Sequence, residues 1–171
     1  SSLHAAVHVL AAEYPGTGEL AQRLHEHLIA ATPLNKFATA FMACLLGNGM
    51  LEYTSAGHNP ALLVLEDGSV EHLEPAGPPL GLLPGSVYEA QQAWLPPGAL
   101  LVAYTDGLSE APAGGDGEDF GLDRVEETVV RHRGEPLKAL IDRLFSAVEA
   151  HTRGEALHDD RSVLALRRST V

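Results

Sequence analysis

Leu100-Leu101-Val102-Ala103-Tyr104-Thr105-Asp106-Gly107 drives an apolar segment straight into a carboxylate and a glycine. Residues 100–104 are apolar at every position rather than at alternate ones, which is the pattern of an inner strand covered on both faces. Asp106 then falls where the strand stops. A lone carboxylate is expensive to bury, so this position calls for a cation, a set of donors, or water. Gly107 lets the backbone turn sharply or approach an ion closely. An ordinary Asp-Gly turn accounts for the same two residues, so a second acidic site is needed to decide between the readings.

That second site lies in His158-Asp159-Asp160-Arg161-Ser162-Val163-Leu164-Ala165-Leu166, where two adjacent acids meet the start of another apolar strand. Carboxylates from the ends of separate strands can converge on Mg2+ or Mn2+, hard ions that take oxygen ligands and keep several waters. Alternatively, Asp159 and Asp160 form a turn and pair with Arg161. The residues alone leave both open.

A chain of 171 residues is long enough to bury a core and suggests one domain, 1–171. With 23 Asp plus Glu against 11 Lys plus Arg, the net charge of −12 disfavours nucleic acid as a partner. The single cysteine, Cys44, allows no disulfide within the chain, and its place in the apolar run 37–46 predicts a small buried side chain. Apolar runs fall well short of the roughly 20 residues of a membrane span. No basic segment precedes an apolar one at the N-terminus, and a cytoplasmic setting is expected.

Leu3, Val7, Leu10 and Tyr14 predict a first helix ended by Pro15-Gly16, and Thr17 can cap a second carrying Leu20, Leu24, Leu28 and Ala31 before Pro33. Strands are predicted over 37–46, 51–56, 61–65, 70–73, 88–94 and 100–105, with a Gly47-Asn48-Gly49 hairpin turn after the first. Residues 75–85, rich in Pro and Gly, make a long surface connection. Residues 111–119 make a mobile, solvated loop without calcium-loop spacing. Gly121 opens a helix holding Leu122, Val125 and Val129. Pro136 opens another, with Leu137, Leu140, Ile141, Leu144, Phe145 and Val148 on one stripe. A last strand spans 162–168. Segregated helices and strands predict an α+β fold of mainly antiparallel sheets, with helices covering both outer faces.

The motifs together resemble the bacterial PPM-type (PP2C-like) serine/threonine phosphatases of the SpoIIE and RsbU group. The matching residues are Phe37-Ala38-Thr39-Ala40-Phe41, Tyr53-Thr54-Ser55-Ala56-Gly57-His58-Asn59-Pro60-Ala61-Leu62-Leu63, Pro79-Leu80-Gly81-Leu82, Tyr104-Thr105-Asp106-Gly107-Leu108-Ser109-Glu110-Ala111, Phe120-Gly121 and Asp159-Asp160-Arg161-Ser162-Val163. They occur in family order over nearly the whole chain. The resemblance implies a four-layer α/β/β/α sandwich and hydrolysis of phosphoserine or phosphothreonine on proteins by water activated between two Mn2+ or Mg2+ ions. It makes Asp106 and Asp159 metal ligands, with Gly107 beside the ion, and Asp160 at a place where relatives have Asn or Asp. His58 either assists as an acid or orients a phosphate, or it fixes its own turn with Asn59. The implied partner is a phosphorylated STAS-type anti-sigma-factor antagonist in a bacterial stress-signalling pathway, with sensor domains possible ahead of the phosphatase.

One family segment, Gly-Asp-x-x-Gly-x-Gly, whose Asp bridges the two metals, has no match in this sequence. Either the chain is the C-terminal major portion of a longer domain, or it is a non-catalytic phosphatase-like interaction domain that lacks the bridging ligand. A third possibility is an unrelated metal-binding sandwich. No Gly-x-Ser-x-Gly elbow and no Gly-x-x-x-x-Gly-Lys loop is present, so serine-hydrolase and P-loop chemistries have no support.

Overall fold

The computed structural model describes residues 7, 10–12, 16–31, 36–114, 117–153 and 160–170. The chain forms two compact units, Ser1–Pro60 with Leu73–Leu95, and Ala61–His72 with Pro96–Val171. The strands are β1 (Ala40–Leu45), β2 (Met50–Ala56), β3 (Ala61–Val64), β4 (Val70–Leu73), β5 (Gln91–Trp94), β6 (Leu100–Tyr104) and β7 (Val163–Arg167). The helices are α1 (Thr17–Ala31), α2 (Asp106–Ser109), α3 (Gly121–His132) and α4 (Leu137–His151). One sheet has the order β1-β2-β5 and the other β4-β3-β6-β7. Two antiparallel sheets flanked by helices make this an α+β fold, as the order of elements in the sequence predicts. The first predicted helix, 3–14, lies mostly outside the described residues; Val7 and residues 10–12 are helical.

In the first unit, β1 and β2 pair antiparallel with Leu45 opposite Leu51. Asn48 shapes the predicted turn by accepting the Met50 N–H at 2.9 Å on its side-chain oxygen. Helix α1 buries Ala21, Leu24 and Leu28 in a cluster that reaches Ala40 and Met42 at the start of β1 but no residue further along it. That limit corrects the expectation for Cys44, which is exposed. A continuous apolar run suggests two covered faces, but β1 is an edge strand whose C-terminal half extends past the helix.

Thr17 also departs from its predicted role, because it is the first helical residue rather than a cap using its own side chain. The capping group is the Glu52 carboxylate of β2, whose Oε1 accepts the Thr17 N–H at 2.8 Å and its hydroxyl at 3.2 Å. A carboxylate satisfies an orphan donor there and complements the positive end of the helix.

In the second unit β6 is an inner strand, bonded to β3 on one side and β7 on the other, with Leu62 opposite Val102 and Tyr104 opposite Val163. Leu62, Val64, Leu100, Val102 and Tyr104 join the apolar stripes of α3 (Val125, Val129) and α4 (Leu140, Leu144, Val148) in one core. Full burial of each such side chain contributes about 1.5–3 kcal/mol. The described ends of the predicted loop 111–119 pair with each other. Pro112 and Asp119 form an antiparallel bridge, the Ala113 N–H donates to Glu118 O at 2.9 Å, and the Phe120 N–H donates to Ala111 O at 2.8 Å. Each of these bonds gives a backbone donor and a backbone acceptor of the connection a partner within the protein.

Candidate functional site

The β6–β7 ladder carries Asp106 to the edge of the second unit. Beyond the Tyr104–Val163 pair, the Thr105 N–H donates to Ser162 O at 3.1 Å. The Thr105 hydroxyl then donates to Asp160 O at 3.1 Å and accepts the Ser162 N–H at 2.9 Å. These bonds bring the Asp106 turn and the Asp160 segment side by side. The chain turns straight into α2, a single helical turn that the sequence reading did not anticipate.

Asp106 is exposed, and its Oδ1 accepts the Gly107 N–H at 2.9 Å. Gly107 is buried, and a Cβ on it would lie 2.5 Å from Asp160 O and 3.1 Å from the carbonyl carbon. Only a glycine lets the two acid-bearing segments approach so closely. Arg161 lies over the Phe145 ring of α4, 5.6 Å from its centroid, and its Nη1 is buried with no hydrogen-bond partner among the described residues. Asp159 falls outside the described residues.

His58 belongs to the first unit. Its Nδ1 is 2.9 Å from Asn59 O, so the proton sits on Nδ1 and the ring holds its own turn, leaving Nε2 uncommitted to that bond. Of the residues singled out in the sequence, the structure therefore brings together the Asp106, Gly107 and Asp160 segments.

Two further residues were not legible in advance. Thr105 stood inside a quoted motif, but nothing local shows that its hydroxyl spans to Asp160. His25 carries no signal in the sequence, yet it is buried and accepts the Gly81 N–H at 3.0 Å on Nδ1. Tyr88 supports the same connection by donating its hydroxyl to Pro78 O at 2.9 Å, and burial pushes its phenol above the usual range. Within the connection 75–85, Gly81 is thus tied to α1 and Pro78 to Tyr88.

A second candidate, a cavity of about 520 Å³ lined by Arg131, Arg133 and Arg167, has a local explanation. Arg133 Nη1 donates to Val130 O at 2.8 Å, and Arg167 donates to Glu135 O at 2.9 Å and to Arg133 O. The Arg133 and Arg167 guanidiniums satisfy carbonyls in the last turn of α3 and just beyond it.

The donors at Asp106 fit a divalent cation in kind: a solvent-facing carboxylate at a strand end, beside backbone that has no side chain in the way. Among the described residues no group of three His, Cys, Asp or Glu side chains converges on one point. Hard ions such as Mg2+ complete their shells with water when protein oxygens are few.

The sheets and helices are those of the PP2C-type phosphatase domains. The chain matches the SiaA-PP2C domain of Pseudomonas aeruginosa with a TM-score of 0.86 and 17% identity, over 96% of this chain and 67% of that one. It matches the structure of the RsbU and RsbW domains of Rv1364c from Mycobacterium tuberculosis with a TM-score of 0.77 and 28% identity, over 98% of this chain and 47% of that one. The model of the family Stage II sporulation protein E (SpoIIE) covers residues 1–169, and the chain belongs to that family. Protein IcfG of Synechocystis is 30% identical over 134 residues, which are 78% of this chain. The chain spans 21% of that relative's length. No described helix is long and apolar enough to cross a membrane.

Proposed function

We propose that this domain hydrolyses phosphoserine or phosphothreonine on a cytoplasmic regulatory protein, with Asp106 and Asp159 as ligands of Mn2+ or Mg2+. The observation that carries the reading is the close approach of the Asp106 turn to the Asp160 segment across Gly107. Asp106 supplies carboxylate oxygens at a solvent-facing strand end. The Gly107 N–H orients one of them. Asp160, exposed beside the same glycine, offers a further oxygen donor. When bound, such an ion supplies the Lewis acidity that makes water a nucleophile at neutral pH. His58, with Nδ1 donating to Asn59 O, has Nε2 left to accept a proton and, once protonated, to donate to a phosphate oxygen.

The substrate that the family suggests is a STAS-type anti-sigma-factor antagonist, which places the domain in a bacterial partner-switching pathway. Residues 75–85 and 111–119 are the recognition loops of this reading, since loops positioned on a rigid scaffold commonly carry specificity. The test is manganese calorimetry and phosphoserine-peptide hydrolysis by the full-length protein. Metal binding with metal-dependent phosphate release supports the enzyme. A full-length protein that neither binds manganese nor releases phosphate would leave a non-catalytic interaction domain in its place.

A further inference from the structure

We infer that Thr105 is the positioning residue of this site, holding the Asp106 turn in register with Asp160 through its side-chain hydroxyl. The inference rests on the proposed metal-dependent reading of the same acids. A strand pair ordinarily keeps its register by backbone bonds, but those between β6 and β7 stop just short of the site: the Thr105 N–H still reaches Ser162 O at 3.1 Å. The next two backbone groups of the opposing segment are taken by one hydroxyl. The Ser162 N–H donates to Thr105 Oγ1 at 2.9 Å, and the same oxygen donates its hydrogen to Asp160 O at 3.1 Å. A hydroxyl has one donor and two acceptor sites, so both bonds form at once.

The consequence is mechanical. Asp160 O meets both the Thr105 hydroxyl, at 3.1 Å, and the bare Cα of Gly107, where a Cβ would stand only 2.5 Å away. The two contacts come from Thr105 and Gly107, the residues on either side of Asp106. Any drift of the 160–162 segment away from Asp106 therefore breaks a bond to the residue preceding it. A β-branched side chain is restricted at χ1, so Thr105 holds this geometry at little further loss of freedom. Valine has the same shape and neither bond, whereas serine keeps both.

The experiment uses the full-length protein with Thr105→Val and Thr105→Ser, and with Thr105→Ala, which places no methyl where the hydroxyl was, should the valine variant not fold. Three quantities are read: hydrogen exchange of the Ser162 amide, the melting temperature without metal, and affinity for manganese alone by calorimetry. Removing the hydroxyl is expected to speed Ser162 exchange and to weaken manganese binding by about 10–100-fold, the effect typical of groups that orient metal ligands. Serine is expected to restore both. Faster Ser162 exchange and a lower melting temperature with unchanged manganese affinity would reduce Thr105 to a strand-end fastening and overturn the inference. Unchanged Ser162 exchange in the valine or alanine variant would overturn its geometry. A wild-type protein that binds no manganese would instead overturn the metal reading on which the inference depends, whatever the exchange data show.

Discussion

Replacing Gly107 with alanine puts one methyl group against the backbone of the neighbouring segment. The added Cβ would meet Asp160 O at 2.5 Å, the Asp160 carbonyl carbon at 3.1 Å and Arg161 Cγ at 3.3 Å. A comfortable carbon–oxygen contact is about 3.3–3.6 Å, so the carbonyl must retreat by roughly 1 Å. No flexible side chain can absorb that movement, because the group in the way is backbone. Overpacking of this kind costs about 1–3 kcal/mol. Retreat also strains the 3.1 Å bond from the Thr105 hydroxyl, and its loss adds about 1 kcal/mol. A total of about 2–4 kcal/mol lowers the melting temperature of a chain this size by roughly 4–16 °C. Calorimetry without added metal reads the effect, with Gly134→Ala as control, since nothing lies within 4 Å of a Cβ there. If the Gly107 and Gly134 variants melt together, the two acid-bearing segments are not in contact as described, and the structural basis for pairing Asp106 with Asp160 is wrong.

In the full-length protein, Asp106→Asn and Asp159→Asn are each expected to abolish manganese-dependent turnover while circular dichroism stays unchanged; activity kept in Asp159→Asn and lost in Asp160→Asn would exchange the roles of that pair. His58→Ala should slow turnover modestly if Nε2 serves the chemistry, whereas unchanged kinetics with a lower melting temperature would leave only the bond to Asn59 O. Glu135 is held below its usual 4.5 by the hydrogen bond from His132, with Arg143 assisting. Because its folded pKa is the lower one, its contribution to stability is present above pH 4.5 and disappears as pH falls through the folded value. Urea titrations between about pH 3 and pH 6 should accordingly show a shallower acid-side loss in Glu135→Gln than in wild type. An identical acid limb in the two proteins would remove Glu135 from the account.

How far the structure was legible depends on how far apart the interacting residues are in sequence. The inner position of β6 was readable from five successive apolar residues, and the α4 stripe from its helical spacing, because both patterns report the local environment of neighbouring side chains. The fate of Cys44 was not, since an apolar run does not say whether a strand lies at the edge of its sheet. Thr17 looked like a cap because its residue type suits one; the group that meets its N–H, Glu52, comes from 35 positions away. The loop 111–119 looked unstructured because Gly and Asp dominate it, and composition does not reveal a bridge between Pro112 and Asp119.

By itself, the sequence determined the α+β class, the order of the elements, the family-like motifs and the placing of Asp106 at the end of a buried strand. These follow from periodicity, turn chemistry and residue type, all of which act between near neighbours. Only the tertiary structure decided that Thr105 holds Asp160 across 55 positions, that Gly107 must lack a side chain because Asp160 O lies against it, and that His25 secures Gly81 across 56. Such contacts arise when separate elements pack and their remaining backbone donors and acceptors must find partners away from water. Which group meets which is set by the register and depth of that packing.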